Sequence, residues 1–349
     1  MKKDEKDEKD IKNPKDIKDI KDIPGIGEAT IKKLYNSGIV TLIQVANSNP
    51  KRLQEIDGIG DETAFNLIEN AREALGLNNF LSGVEIERDE EKINRITTSS
   101  KELNELLTPP KLRGKIIGGI ESMLITEFYG MFGTAKSQLG FQLAINVQLP
   151  KEKGGLEGSA IVLDSEGTFK SSRIKQMCEA RGYNADKILQ NIYCAKVIST
   201  DHLNKLLVKA EQYIREKNVK LIVVDSIAAL LRKEFHGRDQ LPDRQATLNE
   251  TLTILQNLAD VYNIPIYVTN QVMSRPDAMF FMDPTIPVGG NIMGHATCRV
   301  YLRKAKDNKR IAQLVDSSSL PMGEAVFRIT EAGIEDVEEN EWQNELPIL

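Results

Sequence analysis

The octet Gly130-Met131-Phe132-Gly133-Thr134-Ala135-Lys136-Ser137 lies between an apolar run and an amphipathic one. It matches the G-x-x-x-x-G-K-[ST] pattern except at Ala135, where glycine is expected. In such a loop, backbone N–H groups of the turn and of the first helical residues, here reaching Gln138, surround phosphate oxygens. Lys136 supplies a point charge and Ser137 a hydroxyl ligand for Mg²⁺.

Three further residues stand where a triphosphate site needs them. The apolar strand Leu221-Ile222-Val223-Val224-Asp225 ends in a carboxylate suited to holding Mg²⁺ through its water shell. Taken alone this is a weak signal, because apolar strands ending in Asp are common and Asp225 could simply cap a turn; with Lys136 about 90 residues upstream in a βα alternation it becomes a strong one. A second strand ends at Asp164-Ser165-Glu166, and ligands of open α/β sheets sit at the carboxyl ends of strands. Glu166 is then placed to act as general base on water. A third strand ends in Thr269-Asn270-Gln271, where Gln271 either contacts the γ-phosphate as a neutral sensor or satisfies nearby backbone. The cofactors this chemistry requires are a nucleoside triphosphate and Mg²⁺.

Positioning these groups takes apolar strands alternating with amphipathic helices, the pattern of a mostly parallel sheet flanked by helices. Candidate strands are 124–129, 160–164, 193–198, 221–225 and 266–270, with later runs at 298–302, 311–315 and 325–329. Candidate helices are 136–148, 202–216 and 243–262, and 107–116 reads as a loop. The expected fold is α/β with a P-loop core at 99–337.

Upstream lies a smaller all-helical piece. Ile23-Pro24-Gly25-Ile26-Gly27 and Ile56-Asp57-Gly58-Ile59-Gly60 are related, and each precedes an amphipathic helix. They read as a tandem helix-hairpin-helix domain over 23–77. Its glycines allow tight turns whose N–H groups can face a DNA phosphate without reading bases. A small bundle with purely structural turns is the alternative. Residues 78–98 read as a linker. Residues 1–22 hold eight Lys and eight Asp or Glu in short repeats, a composition that buries too little to fold.

Composition narrows the partners. Seven acids and no Lys or Arg fall in 331–349, exceeding the whole net charge of −5, so the remaining chain is close to neutral. Net charge therefore neither favours nor excludes nucleic acid. Three cysteines and three histidines show no ligand or disulfide spacing, which predicts reduced thiols and no zinc. No apolar run has the length of a membrane span and the N-terminus is charged, so an intracellular, nucleoid-associated protein is expected. Two stretches combine cations with apolar residues on loops: Arg232, Arg238 and Arg244, and Arg275 to Phe280 closed by Gly289 and Gly290. They suit phosphate contact and insertion between bases, or form an exposed basic patch and an apolar loop.

Taken in order, these motifs resemble the RecA-like DNA recombinases of archaeal RadA type and their eukaryotic relatives, from about residue 22 to 337. The most specific pieces are Asp164 to Phe169, Thr269 to Val272, Pro287 to Ile292 with Gly294-His295-Ala296, and Asp316-Ser317 with Leu320-Pro321. The resemblance implies an ATPase that forms helical filaments on single-stranded DNA and exchanges strands with duplex DNA, alone or with recombination mediators. It implies that Glu166 is the catalytic carboxylate, that Gln271 senses the γ-phosphate and that Arg173 lies over adenine. Residues near 232–244 and 273–290 become the two DNA loops, and Asp316 to Pro321 a cap over ATP on the neighbouring subunit. Phe80-Leu81-Ser82-Gly83 is similar to the family's polymerisation motif, with Phe80 and Gly83 entering the next subunit.

The chain departs from the family at Met131 (usually Glu), Ser318 (proline in the cap), Met322 (usually Glu) and in a longer loop at 108–117. Ser318 lacks the fixed φ of proline, which predicts a less rigid cap. Gly133 to Leu139 is similar to the phosphate loop of the minichromosome maintenance helicases, active ATPases that also carry alanine at this position. If position 135 requires φ > 0, alanine costs roughly 1 kcal/mol relative to glycine. A regulatory recombinase paralogue with weak ATPase and a hexameric helicase are the alternatives to the recombinase.

Overall fold

The computed structural model describes residues 19–235, 237, 239–274, 285–288 and 297–338. The chain divides into two compact units, 1–91 and 92–349, each described by itself.

The first unit is helical: a 3-10 turn at Ile20–Asp22, then α1 (Glu28–Asn36), α2 (Leu42–Ala46), α3 (Pro50–Gln54), α4 (Asp61–Ala74) and α5 (Gly83–Glu90). Local chemistry sets the starts. Thr41 Oγ1 accepts from Gln44 N at 3.2 Å while Gln44 Oε1 accepts from Thr41 N at 3.0 Å, a reciprocal cap on α2. Pro50 opens α3, where its missing N–H costs nothing. Leu34, Leu42, Val45, Leu53, Leu67 and Ile68 fill the core. Ile20 and Ile23 join them, at 0% and 2% exposure, so the helical unit begins before position 23. Residues 1–18, the rest of the charged repeats, lie outside the described residues. α5 falls inside the segment read as a linker, and its start follows from Glu85, whose carboxylate accepts from Ser82 N at 2.7 Å.

The second unit opens with β1 (Arg95–Ile96), α6 (Lys101–Leu106) and β2 (Ile120–Glu121), then β3 (Ile125–Gly130) and α7 (Lys136–Asn146). There follow β4 (Ser159–Asp164), α8 (Ser171–Ala180), α9 (Ala185–Gln190), β5 (Ile192–Lys196), α10 (Thr200–Glu216), β6 (Val219–Asp225), α11 (Ile227–Glu234) and α12 (Leu241–Tyr262). The remaining strands are β7 (Ile266–Asn270), β8 (Val272–Ser274), β9 (Thr285–Pro287), β10 (Thr297–Lys304), β11 (Lys309–Asp316), β12 (Gly323–Thr330) and β13 (Gly333–Asp336).

Nine strands form one sheet in the order β13-β12-β11-β10-β3-β7-β6-β4-β5. From β10 to β5 all neighbours are parallel, and β10 through β13 form an antiparallel meander. Residues of β3, β4 and β7 are buried throughout, as parallel strands covered on both faces must be. Phe128, Leu139, Leu143, Val223, Tyr267 and Leu302 lie in the main core, joining sheet and helix α7. Helices α6, α8, α9 and α11 and the short strands β1, β2, β8, β9 and β13 have no counterpart among the candidates read from sequence. The segment read as the loop 107–116 contains only a 3-10 turn, Pro110–Leu112.

Candidate nucleotide site and nucleic-acid loops

Strands β3, β7, β6 and β4 lie side by side and all end at the same edge, because parallel strands share direction. Their carboxyl ends deliver the phosphate loop, Gln271, Asp225 and Glu166 to one cleft of about 1070 Å³. Lys136, Ser137, Gln138 and Arg173 line it too.

The loop is built around Ala135, which adopts φ +87°, ψ 6° and directly precedes α7. Position 135 therefore does require the left-handed region. Ala135 is also buried among core residues. Replacing it with glycine relieves roughly 1 kcal/mol of strain but gives up about 0.8 kcal/mol of methyl burial and frees the unfolded chain by about 0.4–1 kcal/mol. These terms nearly cancel, so Ala135→Gly is expected to shift the melting temperature by no more than about 3 °C. A larger shift by calorimetry in either direction would show that the loop is not held as described.

Lys136 folds over the loop, its Nζ donating to the carbonyls of Gly130 at 2.8 Å and Met131 at 2.9 Å. Burial lowers its pKa from the ordinary lysine value, against the opposing pull of Asp225 and Glu166. Tyr267, fully buried in β7, donates its hydroxyl to Lys136 O at 2.7 Å and so ties the start of α7 to the sheet.

Asp225 is 2% exposed, and each of its oxygens accepts from a threonine hydroxyl: Oδ2 from Thr168 at 2.8 Å, Oδ1 from Thr269. A carboxylate offers about four lone-pair sites, so two remain for water around a metal ion. Neither threonine is singled out in the sequence reading. Asp164 plays a different part: its carboxylate accepts from the backbone N–H groups of Glu166, Gly167, Thr168 and Phe169 at 2.7–3.2 Å. That ring of donors shapes the turn that presents Glu166.

Glu166 is exposed and accepts from Gln271 Nε2 at 2.6 Å. On its other side Gln271 Oε1 accepts from Arg232 Nη1 at 2.6 Å, and Arg232 Nη2 donates to Val272 O at 2.8 Å. Arg232, read from sequence as a DNA contact, is thus turned toward the cleft. Arg244 is half-buried in the first turn of α12. Arg238, Arg275, Phe280, Gly289 and Gly290 lie outside the described residues.

Arg173 forms the far wall. Its guanidinium donates to Gln138 Oε1 at 2.8 Å, Thr330 O at 2.7 Å and Glu331 O at 3.0 Å, which fixes the plane a base would stack on. Asn308, Arg310, Ile329, Thr330 and Glu331 complete that wall from the meander, with no signal in the sequence to reveal them. Asp316 and Pro321 line no part of this cleft and are exposed.

In the helical unit, Gly25 and Gly58 take φ of +77° and +75°, and Gly27 and Gly60 immediately precede α1 and α4. Turn geometry fits the hairpin reading, but the charges oppose phosphate. Glu28 stands in the first turn of α1, and Asp61 and Glu62 in that of α4. A full carboxylate outweighs the roughly half charge of a helix N-terminus. Lys33, whose ammonium lies against Gly58, is a counterweight at the second turn.

The sequence profile of Rad51 matches residues 89–337. The chain belongs to the Rad51 family. A second profile, a SAM-like helix-hairpin-helix tandem, matches residues 17–73 and reaches upstream of Ile20. The DNA repair and recombination protein RadA of Aeropyrum pernix is 44% identical over 316 residues, which is 90% of this chain and 96% of that relative. Among the described residues of this Rad51-family chain, no helix is long and apolar enough to cross a membrane, and no group of three or more His, Cys, Asp or Glu side chains is placed to hold a metal ion. Its three cysteines are free thiols.

Proposed function

We propose that this Rad51-family chain is a DNA-dependent ATPase that polymerises on single-stranded DNA and promotes pairing and strand exchange with homologous duplex. The observation that carries the reading is the arrival of Lys136, Ser137, Asp225, Glu166 and Gln271 in one cleft from four adjacent strand ends. Backbone N–H groups of the loop and the Lys136 ammonium hold the phosphates. Ser137 and Asp225 hold Mg²⁺, which neutralises phosphate charge. Glu166 accepts the proton of the attacking water, and Gln271 keeps that carboxylate aimed.

Polymerisation is supported by Phe80, whose side chain is fully exposed although phenylalanine normally finds cover. Burial in a second copy, with Gly83 at the start of α5 leaving room for close approach, removes that exposure. DNA contact falls to the segments that follow α11 and β8, since acids crowd the hairpin turns. Sequence-independent binding is expected, because phosphate contact and stacking carry no base code.

Electron microscopy with single-stranded DNA and a non-hydrolysable ATP analogue tests this. Continuous helical filaments are expected. Closed rings alone, with unwinding of a tailed duplex, would assign the core to a helicase. DNA binding without DNA-stimulated turnover would assign it to a regulatory paralogue.

A further inference from the structure

We propose that Arg232 is a positioning residue for ATP hydrolysis, acting through Gln271 rather than as a contact to DNA phosphate. The inference rests on the nucleotide-site reading above.

A guanidinium only donates, so it selects the oxygen end of an amide. Arg232 takes Gln271 Oε1 at 2.6 Å, and that leaves Nε2 facing Glu166 Oε1, also at 2.6 Å. The terminal torsion of a glutamine is broad and roughly two-fold. Arg232 and Glu166 select the same amide orientation from opposite sides; without Arg232 the selection rests on the exposed Glu166 alone, Oε1 loses its donor, and the amide is free to swing away from the carboxylate it aims. The second arm of the fork, Nη2 to Val272 O at 2.8 Å, holds the backbone one residue beyond Gln271. Side chain and backbone of the sensor are therefore held by one planar group.

The placement of α11 makes this a link rather than an isolated bond. Ser226 caps α11 one residue after Asp225, and Ser226 N donates to Ser165 Oγ at 2.9 Å beside Glu166. At its far end Glu234 accepts from Thr200 N at 2.6 Å, pinning the last turn to the start of α10. Arg232 lies between these anchors. The helix thus joins Asp225 to the segment leading into α12, and Arg232 returns from it to the cleft. A phosphate that captured Arg232 would have to displace both Gln271 and Val272, so its present partners argue against a primary role in DNA contact. Lys233, next along the helix and exposed, is free to take that role.

The test compares Arg232→Ala, Arg232→Lys, Gln271→Ala and the Arg232→Ala/Gln271→Ala double variant. Each is assayed for ATP turnover at saturating single-stranded DNA, for KM of ATP and for DNA affinity. Arg232→Ala is expected to lower kcat roughly 10- to 100-fold, less than the roughly 10²- to 10⁴-fold lost with the base itself, with KM and DNA affinity changed less than about threefold. Arg232→Lys should recover only part of kcat, because an ammonium cannot hold both oxygens in a fixed plane. In the Gln271→Ala background, Arg232→Ala should have less than about a twofold further effect. Multiplying effects in the double variant, or a loss of DNA affinity with kcat intact, would overturn the assignment. If Arg232→Ala fails to fold, Arg232→Lys in the two Gln271 backgrounds decides the same question. An unsubstituted protein that hydrolyses no ATP would overturn the nucleotide-site reading and this one with it, whereas normal turnover with independent effects would overturn this one alone.

Discussion

Glu166→Gln is expected to lower ATP turnover by roughly 10²- to 10⁴-fold while ATP binds as well as before or slightly more tightly. Glutamine keeps the shape of the side chain and can still accept from Gln271 Nε2, so the turn shaped by Asp164 is not disturbed. What it lacks is basicity, and with it a place for the proton of the attacking water. Binding should not suffer, because in the proposed site the loop and Lys136 hold the phosphate, and removing a carboxylate from the cleft removes a repulsion. Single-turnover hydrolysis together with equilibrium binding of ATP checks both halves. Turnover within about tenfold of the unsubstituted protein would remove Glu166 from the role of base.

The second large effect is at Lys136. Truncation to alanine is expected to weaken ATP binding by roughly 30- to 5000-fold, the equivalent of 2–5 kcal/mol for deleting one partner of a desolvated charge contact. Two things change at once. The phosphates lose their cation, and Asp225 and Glu166, which act electrostatically on Lys136, are left as uncompensated acids facing a polyanion. Lys136→Arg keeps the charge but not the compact ammonium that fits between the carbonyls of Gly130 and Met131, so it should restore little. Calorimetric titration with ATP measures the loss. Unchanged affinity in Lys136→Ala would mean that this cleft is not where ATP binds.

The groups proposed to do chemistry are legible in the sequence because each ends or follows an apolar strand, and strand ends of an open parallel sheet converge by construction. Lys136, Asp225, Glu166 and Gln271 are all found this way. What supports them is not legible. Thr168 comes from the turn after β4 and Thr269 from β7 itself to reach Asp225, and their meeting depends on β4, β6 and β7 lying side by side, which no local pattern encodes. Arg232 shows a subtler limit. A cation between a buried strand and a long helix looks solvent-facing and basic, yet its direction depends on where Gln271 lies, 39 residues on. Helix α8 escapes because its buried set is only Ile174, Met177 and Cys178, a stripe too short to stand out from its polar neighbours. Ile20 escapes for the opposite reason, since a single isoleucine in a Lys-Asp-Ile repeat carries no signal until a core closes around it.

The order of strands in the sheet also sets a timetable for the growing chain. Strand β3, which carries the candidate phosphate loop, pairs among the described residues with β7 and β10, and both come later in the sequence. About 135 residues separate the end of β3 from the start of β7, so ribosomal synthesis at 5–20 residues per second leaves β3 without either neighbour for on the order of 7–27 s. Strands β4, β5 and β6 can pair among themselves during that interval and offer β7 a place to add. Arrival of β7 then closes the gap between β6 and β3 and brings Gln271 in at the same moment. The nascent protein therefore carries an unpaired apolar strand while about 135 of its 349 residues are made, and its demand for chaperones should be concentrated in that window rather than spread over the chain.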